Sequence, residues 1–169
     1  TSVEKSELNF KIEVSDIGHN DAIMRVEPEN KDIFYFINVF SEEDYEYWGG
    51  NSSAYEQQLE YLREYYLNMG ATIEQMIANL CFVGDKNIRL TDLKAGEKYY
   101  AYAIGVNEDF LANSEASVVE FETIAVEMSD LTFEVEFTDI RYDRVSCNIT
   151  PSNNNDSYIC SVQYAESLE

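Results

Sequence analysis

The chain has 169 residues, enough for one sizeable core, and carries 33 Asp and Glu against 11 Lys and Arg, a formal net charge of −22. So acidic a surface repels phosphate backbones and anionic lipid headgroups, which argues against nucleic-acid binding and against acidic membrane surfaces. The three cysteines and the single histidine, His19, show no zinc-site spacing, and no apolar run approaches the roughly 20 residues of a membrane span.

Phe10, Ile12 and Val14 alternate with polar residues, the period of a half-buried strand. Asp16 to Asp21 is a turn cluster in which His19 reads as a structural turn residue. Ala22, Met24 and Val26 alternate again and stop at Pro28, which cannot donate to a ladder. The run IFYFINVF follows. Tyr35, Ile37 and Val39 share one face and Phe34, Phe36 and Phe40 the other, so this strand is expected to be covered on both sides.

The period then changes. Ser41 with Asp44 predicts a short capped helical turn, which Gly49-Gly50 breaks. From Ser53 onward Tyr55, Leu59, Leu62, Tyr66 and Met69 step at helical spacing, and Gly70 stands where a helix C-cap belongs. Thr72 with Gln75 forms a capping-box pattern, and Ile73, Met76, Ile77 and Leu80 mark one face of another helix. Two helices thus interrupt the β pattern and are expected to cover the face of the strand before them. Strands return at CFVG and at Asn87 to Leu90. In the next run Tyr100, Tyr102 and Ile104 alternate against Tyr99, Ala101, Ala103 and Gly105, and the last strand of the series carries Val118, Val119, Phe121 and Thr123.

The chain then begins again. Leu8 to Glu43 lie on Leu131 to Glu166 at a constant offset of 123 without a gap, with ten of the 36 paired positions identical. LNFKIEVSDI answers LTFEVEFTDI, Pro28 meets Pro151, Asn30 meets Asn153, and Tyr35 meets Tyr158. A period near 120 residues is the size of a domain. The expected organisation is a module over residues 8–124, with a helical insert at about 41–80, then the first strands of a truncated copy over 127–169. Such a fragment exposes strand edges and half a core, so it is expected either to self-associate with a neighbouring chain or to dock on the first module. Cys147 and Cys160 fall in alternating apolar runs of this copy and are expected to be buried free thiols.

The stretch LTDLKAGEKYYAYAIGV resembles the E-to-F corner of fibronectin type III domains, where a Leu precedes by six residues a Tyr whose hydroxyl bonds back to the corner's backbone. Leu93 and Tyr99 have that spacing, with Ala95 where the family usually has Pro, and SVVEFET resembles the family's last strand. The helical insert makes the chain more similar still to the helix-interrupted fibronectin-like repeats of Bacteroides-type surface lipoproteins. That resemblance implies an all-β fibronectin/Ig-like sandwich of about seven strands with a two-helix insertion. It also implies a tyrosine corner at Leu93 and Tyr99, and a place in the cell envelope, surface-exposed or secreted.

Chemistry-bearing residues are few. Aromatics are abundant: 13 Tyr, 9 Phe and one Trp. Tyr45, Tyr47 and Trp48 sit together before Gly49-Gly50, and Tyr61 and Tyr65 are i, i+4 neighbours on the long helix. Two readings stay open for these five. They form a platform that stacks sugar rings or grips a partner protein, or they glue the inserted helices to the sheet. Glu42, Glu43, Asp44 and Glu46 cluster beside them, but acids are so frequent that coincidence accounts for the cluster. His19 has no nucleophile-elbow glycines nearby, and neither a calcium loop nor a phosphate-binding loop is present. The expectation is no catalytic residue, no metal and no cofactor. The chain reads as a binding or spacer module for a glycan or protein at the cell surface, the alternatives being an accessory domain of a carbohydrate-active enzyme or a structural stalk repeat.

Overall fold

The computed structural model describes Lys5 and residues 7–162. The chain divides into two compact units, Thr1–Val126 and Glu127–Glu169. The fold is mainly β, with several antiparallel sheets and few helices.

In the first unit the alternating segments become strands β1 (Phe10–Ser15) and β2 (Ala22–Pro28), joined in antiparallel register Phe10 to Pro28. Strand β5 (Lys86–Leu90) adds to the other edge of β2. A second sheet has the order β4-β3-β6-β7, from Cys81–Phe82, Tyr35–Ser41, Lys98–Gly105 and Ser117–Glu122. Its long strand β6 explains the layering. Tyr99, Ala101 and Ala103 join Phe10, Ala22, Met24, Val26 and Tyr35 in a core shared by the two sheets. The small alanines let bulky Phe10 and Met24 close in from the facing sheet. On the opposite face, Tyr100, Tyr102 and Ile104 join Phe36 and Phe40 against the helices.

The insert holds three helices rather than two: α1 (Glu42–Tyr47), α2 (Ala54–Asn68) and α3 (Ile73–Leu80). The extra one is the turn foreseen at Ser41, which its capping box with Asp44 extends to six residues. Thr72 and Gln75 cap α3 in the same reciprocal way. Helix α2 ends where Gly70 adopts φ +88, so that its N–H reaches the Leu67 carbonyl and the Ala71 N–H the Tyr66 carbonyl. Ala54, Tyr55, Leu59 and Met76 are the buried helical residues over the second sheet. Two expected members of these faces lie outside them. Phe34 stands one residue before β3, and Met69 is the residue after α2; both are exposed.

Buried polar atoms on this interface are satisfied. The Tyr102 hydroxyl donates to Gln58 Oε1, which also accepts from Asn38 Nδ2 at 2.9 Å. Burial raises the Tyr102 and Tyr55 hydroxyls above the usual tyrosine range and pushes the Cys81 thiol up to about 12.

The second unit is a two-stranded sheet, β8 (Phe133–Thr138) and β9 (Ser146–Pro151), registered Phe133 to Pro151. Phe133, Val135 and Phe137 share one face with Cys147, Ile149 and Pro151; the other face is polar, with Glu134 and Glu136. Cys147 and Cys160 are free but exposed, not buried, because the described part of this unit is a single two-stranded layer. The repeat positions beyond Val162 lie outside the described residues.

Candidate aromatic contact surface

The loop from α1 to α2 is tightly bonded. Gly49 and Gly50 adopt φ +101 and +60, and their N–H groups reach the Glu46 and Tyr45 carbonyls at 2.9 Å each. Asn51 ties the far side: its Nδ2 donates to the Gly49 carbonyl at 2.9 Å, and its Oδ1 accepts from the Ser53 N–H and hydroxyl. This fixes Trp48 beside the second turn of α2.

A continuous row of rings results. Tyr47 meets Trp48 edge-on at 5.4 Å between centroids, and Trp48 meets Tyr61 at 5.5 Å. Tyr61 stacks along Tyr65 at 6.3 Å, the i, i+4 neighbour expected on a helix face, and Tyr65 meets Tyr66 edge-on at 5.4 Å. Tyr47 is 81% exposed, Tyr61 54% and Tyr65 47%, while Trp48 and Tyr66 are half-buried. Trp48 also packs on the core beneath the helices.

Of the five residues singled out in the sequence, four thus come together. Tyr45 joins the interior instead: its ring stacks on Tyr100 at 4.3 Å and on Tyr55 at 5.9 Å. Tyr66 was legible only as part of the buried helical stripe. Its adjacency to Tyr65 was the one signal that it would extend the row.

Carboxylates flank the row along the chain. Glu43 lies one turn before Tyr47, and Glu60 and Glu64 directly precede Tyr61 and Tyr65; all three are exposed. Among the described residues none of them forms a salt bridge. Arg63, on the same helix, directs its Nε to the Asp109 carbonyl at 2.9 Å. An open cleft of about 590 Å³ lies between α1 and the start of β6, lined by Glu42, Glu43, Glu46, Glu97, Lys98 and Glu122. Lys98 is already engaged. Its ammonium binds Glu120 at 2.8 Å and stands 4.8 Å over the Tyr100 ring, and the hydrogen bonds to Glu120 and Tyr100 raise its pKa.

Leu93 and Tyr99 occupy a corner, not a surface. Both are buried, and the Tyr99 hydroxyl accepts the Lys94 N–H at 2.7 Å. Thr123 locks the same corner, its hydroxyl donating to the Lys94 carbonyl at 2.6 Å and accepting from the Glu97 N–H at 3.1 Å. His19 lies in the turn, with Nδ1 2.9 Å from the Ile124 carbonyl. Among the described residues no cluster of His, Cys, Asp or Glu is arranged to hold a metal ion, and no helix is long and apolar enough to cross a membrane.

No protein-family model and no curated protein matches the chain. Among solved structures, the sensor domain of the anti-sigma factor RsgI4 of Pseudobacteroides cellulosolvens is similar over 72% of this chain and 98% of that one, at 12% identity and a TM-score of 0.40. A likeness so slight transfers neither fold nor function.

Proposed function

We propose that the first unit is a fibronectin III-like sandwich with a helical insert, serving as a non-catalytic binding module of a secreted or surface-anchored bacterial protein. Two features support the sandwich reading: a three-stranded sheet of order β1-β2-β5 facing one of order β4-β3-β6-β7, and the Tyr99 hydroxyl bonded back to Lys94. The likeness to Bacteroides-type surface lipoproteins supports the envelope location. The second unit adds self-association through the apolar face that Phe133, Val135 and Phe137 share with Ile149.

One observation carries the binding role. Tyr47, Tyr61 and Tyr65 leave about half or more of their surface in water on a capped, tightly bonded support. Exposed aromatic rings held rigid give contact area at low entropic cost, which suits a glycan or a protein partner. The test is a glycan-array and partner screen on the intact protein, repeated with Tyr47, Tyr61 and Tyr65 all changed to Ala. The expected result is a ligand lost at least tenfold in the triple variant, with a melting temperature within a few degrees of the parent. Trp48→Ala is a blunter probe, because Trp48 also packs on the core. Undiminished binding by the triple variant would sink the reading.

A further inference from the structure

We infer that the aromatic row selects an extended, cation-bearing segment, a peptide strand with Arg or Lys at alternate positions. The inference rests on the reading of this row as the contact surface.

The rings come first. A tyrosine or tryptophan face attracts a guanidinium or ammonium through its quadrupole, most strongly where the cation is partly desolvated. The row offers faces and edges of five rings in sequence, three of them well exposed. The carboxylates then set the sign of the partner. Glu43, four positions before Tyr47, and Glu64, three after Tyr61, each share a helix face with a ring; both are exposed and in no salt bridge among the described residues, in a chain of net charge −22. An anionic partner meets repulsion there, while a cationic one finds a ring and a carboxylate together.

The protein already uses this pairing elsewhere. Lys98 stands over the Tyr100 ring at 4.8 Å while its ammonium binds Glu120 at 2.8 Å. Glu43 with Tyr47 on α1 and Glu64 with Tyr61 on α2, four and three positions apart, set the same two components on one helix face with the cation left to be supplied. Spacing favours an extended chain as the supplier. Tyr61 and Tyr65 lie 6.3 Å apart between centroids. Alternate residues of a β-strand repeat at about 6.6–6.8 Å, so side chains on one face of such a strand meet successive rings.

The chain's single tryptophan, Trp48, sits inside the row and reports occupancy by fluorescence. The full chain is titrated with three probes: a capped (Arg-Ser)4 peptide, its (Glu-Ser)4 counterpart, and a neutral β-linked hexasaccharide. The Arg peptide is expected to shift Trp48 emission and to bind at least tenfold more weakly in 0.5 M salt than in 0.05 M. Y61A/Y65A is expected to weaken it at least tenfold and E43Q/E64Q about threefold or more, while E134Q/E136Q leaves it unchanged. Binding of the hexasaccharide with none of the Arg peptide overturns the cationic partner but leaves the contact surface standing. Arg-peptide binding that survives Y61A/Y65A, or falls equally in E134Q/E136Q, reveals attraction to the overall charge and also overturns the inference. Failure of every probe here, together with a blank partner screen, removes the contact surface itself.

Discussion

Two hairpins of this chain, β1–β2 and β8–β9, have the same construction in different surroundings. The offset of 123 read in the sequence runs through their geometry. Phe10 pairs with Pro28 and Phe133 with Pro151. Asp16 and Asp139 leave the first strands with φ 47 and 45. The Glu29 N–H reaches the Asn9 carbonyl at 3.0 Å, and the Ser152 N–H reaches that of Thr132 at 2.8 Å. Asn30 and Asn153 each accept the N–H two residues on. Phe10 lies 5.2 Å from Tyr35, and Phe133 5.0 Å from Tyr158. The surroundings differ: β5 extends the first sheet, and the first hairpin is covered. Tyr99, Ala101, Ala103 and Phe121 close over the first hairpin, and Phe10 is 5% exposed against 43% for Phe133. Alternation, turn and ring pair are therefore enough to set a hairpin's shape. Its burial comes from strands much later in the chain.

The largest effect should separate the two phenylalanines. Phe10→Ala removes a ring from a closed core and is expected to cost about 3–5 kcal/mol. Phe133→Ala removes a half-exposed ring from a two-stranded sheet, and is expected to cost less than about 0.5 kcal/mol. Urea melts followed by Trp48 fluorescence for the first variant, and amide exchange in β8 for the second, measure the pair. An equal loss at both sites would mean that the second face is covered in solution. Mass by light scattering across a concentration series then shows whether another copy covers it.

The next contrast lies in the paired tyrosines. Tyr35 is fully buried and its hydroxyl donates to the Gly84 carbonyl at 2.6 Å, whereas Tyr158 is 45% exposed. Tyr35→Phe leaves that carbonyl short of a partner, at about 1–3 kcal/mol. Tyr158→Phe should be silent in the same thermal melts.

Titration draws the same line. Burial first, then the charge of Asp85, pushes Tyr35 up to about 12, and burial pushes Cys81 to about 12. Both groups stay protonated in the folded chain at a pH where the unfolded chain has released its protons. The unfolded state then holds fewer protons, so stability falls as pH rises from about 9 toward 12. Melts of the first unit across that range should lose midpoint steadily, and Tyr35→Phe should flatten the part above pH 10. At pH 8 iodoacetamide should label exposed Cys147 and Cys160 quickly and Cys81 slowly. Rapid labelling of all three would contradict the partial burial of Cys81.

These contrasts also mark what was legible in advance. The strands, the caps at Ser41, Gly70 and Thr72, and the 123-residue repeat depend on neighbours a few positions away, so the sequence pattern carries them. The direction of Tyr45 does not. It and Tyr47 lie two positions apart on a six-residue helix, and the pull of Tyr100 on strand β6 decides which ring goes inside. The exposure of Cys147 was hidden for the reverse reason. Its alternating run is that of a buried strand, but among the described residues its sheet has only two strands and leaves it open. Of the candidate site, the pairing of Tyr61 with Tyr65 was visible as helix periodicity, whereas the junction of Trp48 with Tyr61 depends on the loop that folds α1 back on α2.

The smallest expected effect tests whether the two turns are equivalent. Asp16 and Asp139 both occupy the left-handed region, where glycine is at ease and other residues are strained. Asp16→Gly should therefore stabilise the first hairpin by up to about 1 kcal/mol. Asp139 does a second thing: its carboxylate meets Arg141 at 2.6 Å and Arg144 at 3.5 Å. Exposed pairs of this kind contribute about 0–1 kcal/mol, so Asp139→Gly should gain backbone ease, lose the pairs, and end near zero. Amide exchange at the turn, at low and high salt, separates the two terms. If Asp139→Gly gains as much as Asp16→Gly even at low salt, the arginine pairs contribute nothing and backbone conformation alone governs both turns.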